Sequence, residues 1–125
     1  MKSLPRRPLS NIDLKKYAIK MKIPHFRGVY MRDSLPIGGP RRYEAAIINL
    51  DSIKGVGTHW VAYRKNNYNV TYYDSFGDLP PPSELVHYLR SGREASRNIY
   101  YTYDRQQDFG SVWCGHLCLK FLSKS

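Results

Sequence analysis

Cysteine, acidic residues and long apolar runs are all scarce in this chain of 125 residues. The two cysteines, Cys114 and Cys118, are too few for a disulfide framework, so we expect free thiols in a reducing, intracellular setting. No run approaches the roughly 18 apolar residues that a membrane-spanning helix needs. Residues 1–10 lack the apolar centre of a secretion signal. These absences argue against a disulfide-rich secreted protein and predict a soluble protein with no membrane partner.

Basic residues dominate the charge of the chain, with 20 Lys and Arg against 10 Asp and Glu and a formal net charge of +10. This excess predicts an anionic partner, and nucleic acid binds such charge without sequence specificity. The alternative is a basic surface that only keeps the protein in solution. The candidate contacts are Lys2, Arg6, Arg7, Arg41, Arg42, Arg90, Arg93 and Arg97.

The length fits one domain, and a hydrophobic fraction of 42% is enough for one core. Residues 1–9 combine basic residues with Pro5 and Pro8, a composition typical of a flexible arm. We therefore predict a basic flexible arm over residues 1–9 and a single domain over residues 10–125.

Hydrophobic periodicity predicts an α+β domain in which a small antiparallel sheet packs against helices. Ser10 is placed to cap the first helix, and a loop rich in proline and glycine over residues 24–43 has at most a brief extended piece at 28–31. The predicted elements are a helix over 11–21, a strand over 45–50, hairpin strands over 58–65 and 68–74, a helix over 83–92, a strand over 99–103 and a helix over 113–122.

The hairpin places two polar residues together. If its turn falls on Asn66 and Asn67, His59 lies directly across from Asp74 on the same face, with Cβ atoms roughly 5 Å apart. A carboxylate at that distance accepts a hydrogen bond from the imidazole, which leaves the other ring nitrogen able to take a proton. A loop one residue longer would instead place the two side chains on opposite faces.

Cys114 stands at the start of the last predicted helix, where backbone N–H groups and the helix dipole favour a thiolate. It is therefore the candidate nucleophile beside His59. The alternative is a small buried hydrophobic residue, which is the interpretation we give to Cys118. A zinc site that also uses His116 is disfavoured, because Cys114 and His116 are two positions apart on a helix and point to different sides. We predict no metal site.

Five short motifs follow one another along the chain: PHFRGVYMRDSLP at 24–36, AAIINL at 45–50, GTHW at 57–60, YYDSFG at 72–77, and Gln107 followed by SVWCGHLCLKFL at 111–122. In this order they resemble adenain, the adenovirus cysteine protease, within the wider clan of ubiquitin-like-protein proteases. The resemblance covers roughly residues 10–122. It implies a papain-related fold in which histidine precedes the acid, the glutamine and the cysteine.

The resemblance also implies a role for each candidate residue. Cys114 is the nucleophile, and His59 is the general base and then the general acid. Asp74, in place of the glutamate usual in adenain, orients His59. Gln107 matches the glutamine whose side-chain amide joins the backbone N–H of Cys114 in the oxyanion hole, and Gln106 is the alternative.

Two neighbours of these residues are candidate substrate contacts. In the wider clan, the tryptophan that matches Trp60 helps to form a narrow passage that admits only small residues, which implies glycine beside the cleaved bond. The alternative for Trp60 is core packing. Gly115 is expected to allow close backbone approach around the nucleophile.

The implied function is a cysteine endopeptidase that cuts viral or virus-derived structural precursor proteins at glycine-containing sites. We expect a monomer in a virion or a host cell nucleus, stimulated by DNA and without another cofactor. Activation by a disulfide-linked peptide is not expected, because residues 95–98 (ASRN) lack the cysteine that adenain uses. Adenains continue well past the nucleophile helix, so we also expect a C-terminally truncated core.

Two alternatives stay open. The same catalytic set serves deubiquitinases and proteases of SUMO-like modifiers. A catalytically idle, basic module that binds nucleic acid or associates with a capsid would also explain the net charge of +10.

Overall fold

A computed structural model describes residues 4–51, 59–75, 77, 80–101 and 113–124 of the chain. The described elements, in chain order, are α1 (Asn11–Lys20), β1 (Phe26–Met31), β2 (Tyr43–Asn49), β3 (Trp60–Asn66), β4 (Asn69–Tyr73), α2 (Ser83–Leu89), β5 (Asn98–Tyr101) and α3 (Cys114–Ser123). None of these helices is long and apolar enough to cross a membrane. The α+β class predicted from the sequence is confirmed.

The five strands form one sheet in the order β1-β2-β3-β4-β5. The predicted antiparallel pairing is correct for β2, β3 and β4, and wrong for the two outer strands, because β1 pairs parallel with β2 and β5 pairs parallel with β4. A parallel neighbour needs a crossover connection, and α2 supplies the one between β4 and β5.

The crossover from β1 to β2 is a loop that packs on the end of α2. A Cβ atom at Gly39 would lie 2.7 Å from the backbone oxygen of Ser91, and one at Gly92 would lie 2.5 Å from the backbone oxygen of Gly38. These contacts admit only glycine, and all three glycines have positive φ angles. The proline- and glycine-rich segment therefore makes a close-packed turn.

Helices cover both faces of the sheet. Ala45, Ile47 and Ala62 pack with residues of α1 and α3, while alternate strand residues such as Ile48 and Val61 pack with α2. Because β2 is covered on both faces, its centre at residues 45–48 is a continuous apolar run in the sequence.

The hairpin turn lies one position later than predicted. Asn66 pairs with Asn69, so the two-residue turn is Asn67 and Tyr68 instead of Asn66 and Asn67. Asn67 has a φ of 57°, a left-handed conformation that asparagine tolerates better than most residues. The buried amine of Lys65 donates to the backbone oxygen of Asn67 over 2.7 Å, and this bond fixes the turn there.

The shift changes which residues stand opposite one another. With Ala62 paired to Tyr73, continuation of the ladder places Asp74 across from Val61, so the prediction that His59 pairs directly with Asp74 is wrong. A shift of the turn by one whole position preserves parity, and His59 and Val61 share a face. His59 is therefore a diagonal neighbour of Asp74, still within reach of its carboxylate.

Residues 4–9 form no helix or strand, but they do not extend away from the domain as a free arm. Leu9 is 4% exposed in the core beside Leu14, and Leu4 packs against the same cluster. Where a flexible arm was predicted, residues 4–9 thus pack on the domain, with Leu9 buried and Leu4 partly buried. The predicted cap of α1 is confirmed, since Ser10 and Asp13 form a capping box.

A buried carboxylate ties the strands to α2. Glu44 is 1% exposed, and its Oε1 accepts from Arg27 Nη1 at 2.8 Å. The hydroxyls of Tyr63 and Tyr88 donate to Oε2 at 2.5 and 2.7 Å. These partners lie on β1, β3 and α2, so one carboxylate joins four elements. These hydrogen bonds replace the water that the carboxylate loses on burial, so the buried charge is stabilised.

We expect Glu44→Gln to lower the free energy of unfolding by about 3 kcal/mol, because Arg27 would keep a largely buried charge without a counter-charge. Urea denaturation measures this change. The matched control is Glu84→Gln, whose ion pair with Arg32 is 40% exposed on both sides and should change stability by about 0.5 kcal/mol or less. Equal losses in the two variants would contradict a special role for Glu44.

Candidate active site

His59 and Asp74 meet at one end of the sheet. His59 precedes the first residue of β3, and Asp74 follows the last residue of β4. His59 Nε2 donates to Asp74 Oδ1 over 2.7 Å, and both side chains are buried. This bond fixes the imidazole so that Nδ1 is the nitrogen directed to other chemistry.

Cys114 is the first residue of α3, as the sequence predicted, and it is 8% exposed. The far end of the helix is held on the sheet by Arg64, whose Nη2 donates to the backbone oxygen of Phe121 over 2.7 Å, and by stacking of Tyr73 on Phe121. Because α3 is held on the sheet in this way, Cys114 at its N-terminus lies beside His59.

The environment of Cys114 favours a thiolate. Burial acts to raise its pKa, but hydrogen bonds from His59 and from the backbone N–H groups of Trp60 and Gly115 outweigh burial. The charge of His59 acts in the same direction, and the net effect lowers the pKa of the thiol. Such a cysteine is nucleophilic at a pH where an ordinary thiol is not.

The pKa of the His59 imidazole is shifted upward, opposite to the shift of the Cys114 thiol. Burial acts to lower the pKa of His59, but hydrogen bonds with Asp74 and Cys114, and the negative charges on both partners, raise it to about 9. The two shifts favour an imidazolium beside a thiolate. An imidazolium in this position is able to give its proton to a leaving group.

Cys118 lies one turn further along α3 and has no part in this arrangement. Its side chain is fully buried in the core, and burial raises the pKa of its thiol well above the ordinary value. Within the described residues, no three His, Cys, Asp or Glu side chains are grouped so as to hold a metal ion.

The two predicted substrate contacts both lie beside the cysteine. Trp60 packs partly buried against the core, and its Nε1 donates to the backbone oxygen of Leu9 over 3.0 Å. A Cβ atom at Gly115 would lie 3.5 Å from Trp60 Cδ1 and 3.3 Å from Leu9 Cβ. Trp60 therefore packs against the core, as its alternative interpretation has it, and its contact with substrate stays a prediction. Gln107 and Gln106 lie outside the described residues.

One contact near the site was not predicted from the sequence. His116, considered there only as a metal ligand, donates from Nε2 to the backbone oxygen of Pro5 over 2.6 Å. The two residues are 111 positions apart, and a backbone acceptor leaves no trace in residue identity.

The basic residues predicted to contact nucleic acid differ in whether a nearby carboxylate pairs with them. Arg7 pairs with Asp13 at 2.6 Å and Arg42 with Glu94 at 3.3 Å, so local carboxylates partly neutralise both. Lys2 lies outside the described residues.

Arg42 and Arg97 lie near the hairpin turn, at the end of the sheet away from His59. Arg42 accepts from Asn67 through its backbone oxygen, and Arg97 donates its backbone N–H to Tyr68. The guanidinium of Arg97 stacks 4.3 Å from the centre of the Tyr68 ring. Seven strand residues separate this turn from His59, a distance of about 25 Å.

Comparison with known proteins finds the fold in solved structures. The chain matches the crystal structure of the ASFV pS273R protease with a TM-score of 0.62 and 15% identity over 95% of this chain and 57% of that one. The selenomethionine form of that protease matches with a TM-score of 0.57 and 14% identity over 97% and 60%. The chain therefore has the fold of this protease and spans less than two thirds of its length.

Sequence comparisons give no family. No protein-family model matches the chain, and no curated protein matches it. The resemblance to adenain therefore stays a prediction from the five motifs.

We expect Asp74→Asn to lower the pKa of His59 from about 9, because an uncharged amide does not stabilise the imidazolium. NMR titration of the imidazole measures the shift. Since the folded pKa is raised, the stability that charged His59 contributes is fully present below its ordinary pKa of 6.5 and is lost as pH rises through about 9.

The control for this titration is Asp33→Asn, which removes an exposed carboxylate on the loop after β1. It should leave the titration of His59 unchanged. A His59 pKa that is the same in the Asp74→Asn variant as in the parent protein would show that Asp74 does not govern the imidazole.

Proposed function

We propose that the protein is a cysteine endopeptidase. The observation that carries the proposal is the contact of His59 with both Asp74 and Cys114, at the joined ends of β3, β4 and α3. An orienting carboxylate, an imidazole and an activated thiol placed side by side are the parts that nucleophilic acyl transfer requires. The fold of the ASFV pS273R protease supports the proposal.

In the proposed reaction, the thiolate of Cys114 attacks the carbonyl carbon of the substrate peptide bond and forms a tetrahedral intermediate. His59 then gives a proton to the departing amine, the C–N bond breaks, and a thioester remains on Cys114. Water, deprotonated by His59, attacks the thioester and releases the acid product and the thiol. Asp74 holds the imidazole in position through both steps.

The developing oxyanion needs donors. In the proposed mechanism these are the backbone N–H of Cys114, which is free of helical bonding at the first residue of α3, and the side-chain amide of Gln107. The role of Gln107 rests on its place in the adenain-like motif. Each such donor contributes about 3 kcal/mol to stabilisation of the transition state.

Glycine-containing sites in viral structural precursor proteins are the proposed substrates. The support is the resemblance to adenain, in whose wider clan the tryptophan that matches Trp60 helps to form a narrow passage for small residues. The location in a virion or host nucleus and the monomeric state also follow from the resemblance and stay predictions.

A ubiquitin-like-modifier protease is the alternative within the same chemistry. A fluorogenic conjugate of a complete modifier that ends in Gly-Gly separates the two, because such an enzyme prefers it to a short peptide with the same end. An idle module would cleave neither the conjugate nor the peptide.

We expect Cys114→Ala and His59→Ala each to abolish cleavage of glycine-containing peptides, because they remove the nucleophile and the proton-transfer group. The matched controls are Cys118→Ala, in the core, and His87→Ala, on the exposed side of α2, which should keep most of the turnover. Turnover per folded molecule is the measurement. Equal losses of turnover in the Cys114 and Cys118 variants would contradict the assignment of Cys114 as the nucleophile.

We also propose that DNA binds the protein and stimulates it. The support is the net charge of +10 and the basic residues of the segment after α2, where Arg90, Arg93 and Arg97 form no ion pair with the described carboxylates. Arg6 and Arg41 are further candidates. Stacking of Arg97 on Tyr68 holds one guanidinium in place for a phosphate.

We expect DNA affinity to fall steeply with salt, because phosphate contacts release counterions. Replacing Arg90, Arg93 and Arg97 with Gln should weaken binding and reduce the slope of log K against log salt by about 3. The control of equal charge replaces Lys15, Lys16 and Lys20 on the exposed side of α1. Equal effects of the two triple variants, or an affinity insensitive to salt, would remove this surface from the mechanism.

A further inference from the structure

Residues 4–9, which we term the strap, cross from α1 to the start of α3. Leu4 packs against the core, and Leu9 is buried within it. Pro5 and Pro8 restrict the backbone between them. On its outer side Arg7 forms two hydrogen bonds with Asp13, at 2.6 and 3.2 Å, which tie the strap to the first turn of α1.

The strap holds the residue that follows the histidine. The backbone oxygen of Leu9 accepts from Trp60 Nε1 at 3.0 Å, which fixes the indole at the first position of β3. The backbone N–H of the same tryptophan donates to Cys114. Displacement of Trp60 would therefore disturb both the imidazole beside it and a donor to the sulfur.

The strap also holds the residues that follow the cysteine. The backbone oxygen of Pro5 accepts from His116 Nε2 at 2.6 Å. Leu9 packs against Gly115 so closely that an added Cβ would lie 3.3 Å from its own Cβ. Gly115 supplies the second backbone N–H that donates to Cys114.

We propose that the strap is a positioning element, which sets Cys114 against His59 by fixing Trp60 on β3 and Gly115 and His116 on α3. The two backbone donors to the sulfur come from different elements, and the strap contacts both. This inference rests on the proposed function, since it concerns how that site is held. Trp60 and His116 act through Cys114 and are positioning residues.

The test measures how alkylation of Cys114 by iodoacetamide depends on pH, in a Cys118→Ala background with a single thiol. His116→Leu removes the bond to the strap, and the midpoint of the pH profile should rise by about one unit, which is about tenfold less thiolate below the midpoint. His116→Gln keeps an N–H donor at nearly the same place and should restore the profile of the parent. His87→Leu is the matched control and should not move it.

A second pair of variants does not touch His116. Trp60→Phe keeps an aromatic ring but loses the N–H that bonds to Leu9, and a chain that begins at Arg7 lacks Leu4 and Pro5. Both should shift the midpoint in the same direction as His116→Leu. Thermal unfolding of each variant shows whether it is folded, and a purely structural strap would lower the melting temperature without moving the midpoint.

The outcomes distinguish failure of the strap proposal from failure of the proposed function. An ordinary thiol profile in the parent protein would overturn the proposed activation of Cys114 and the strap with it. A lowered midpoint in the parent that stays the same in every folded strap variant would overturn the strap alone. A raised midpoint in His116→Leu that His116→Gln reverses supports the strap.

Discussion

The site depends on the pairing of β3 with β4. His59 and Asp74 lie at the far ends of a hairpin whose turn is set by Asn67, Tyr68 and the buried amine of Lys65. Side chains alternate between the two faces of a sheet, so a slip of one strand by a single residue would move Asp74 to the face opposite His59. The bond between His59 and Asp74 at one end of the sheet thus depends on a turn about 25 Å away at the other end.

Local patterns in the sequence were enough for most of the scaffold. Apolar spacing and Ser10 identified α1, and Asn67 lies within one residue of the predicted turn because asparagine suits a left-handed position. The meeting of His59 with Asp74 was predictable for a reason that did not depend on the exact turn. Both the predicted and the observed turn have two residues, and this preserves the parity of the two side chains.

Contacts between distant parts of the chain were not predictable in the same way. The parallel pairing of β1 and β5 depends on where the crossovers lead, which strand composition does not encode. The bond between His116 and Pro5 uses a backbone oxygen, which every residue has. Residues 4–9 have the composition of a flexible arm, and their packing depends on contacts of Leu4 and Leu9 with the core cluster that includes α3.

The ion pair between Arg27 and Glu44 constrains how this fold can change over time. Each residue alone is a buried charge that only its partner neutralises, and two tyrosines add hydrogen bonds to the same carboxylate. A single replacement at either position leaves the other charge without its partner, and an apolar pair would also leave the hydroxyls of Tyr63 and Tyr88 without their shared acceptor. Descendants of this chain can therefore lose the pair only by coordinated substitutions that also include the tyrosines, and each intermediate along that path is a less stable protein.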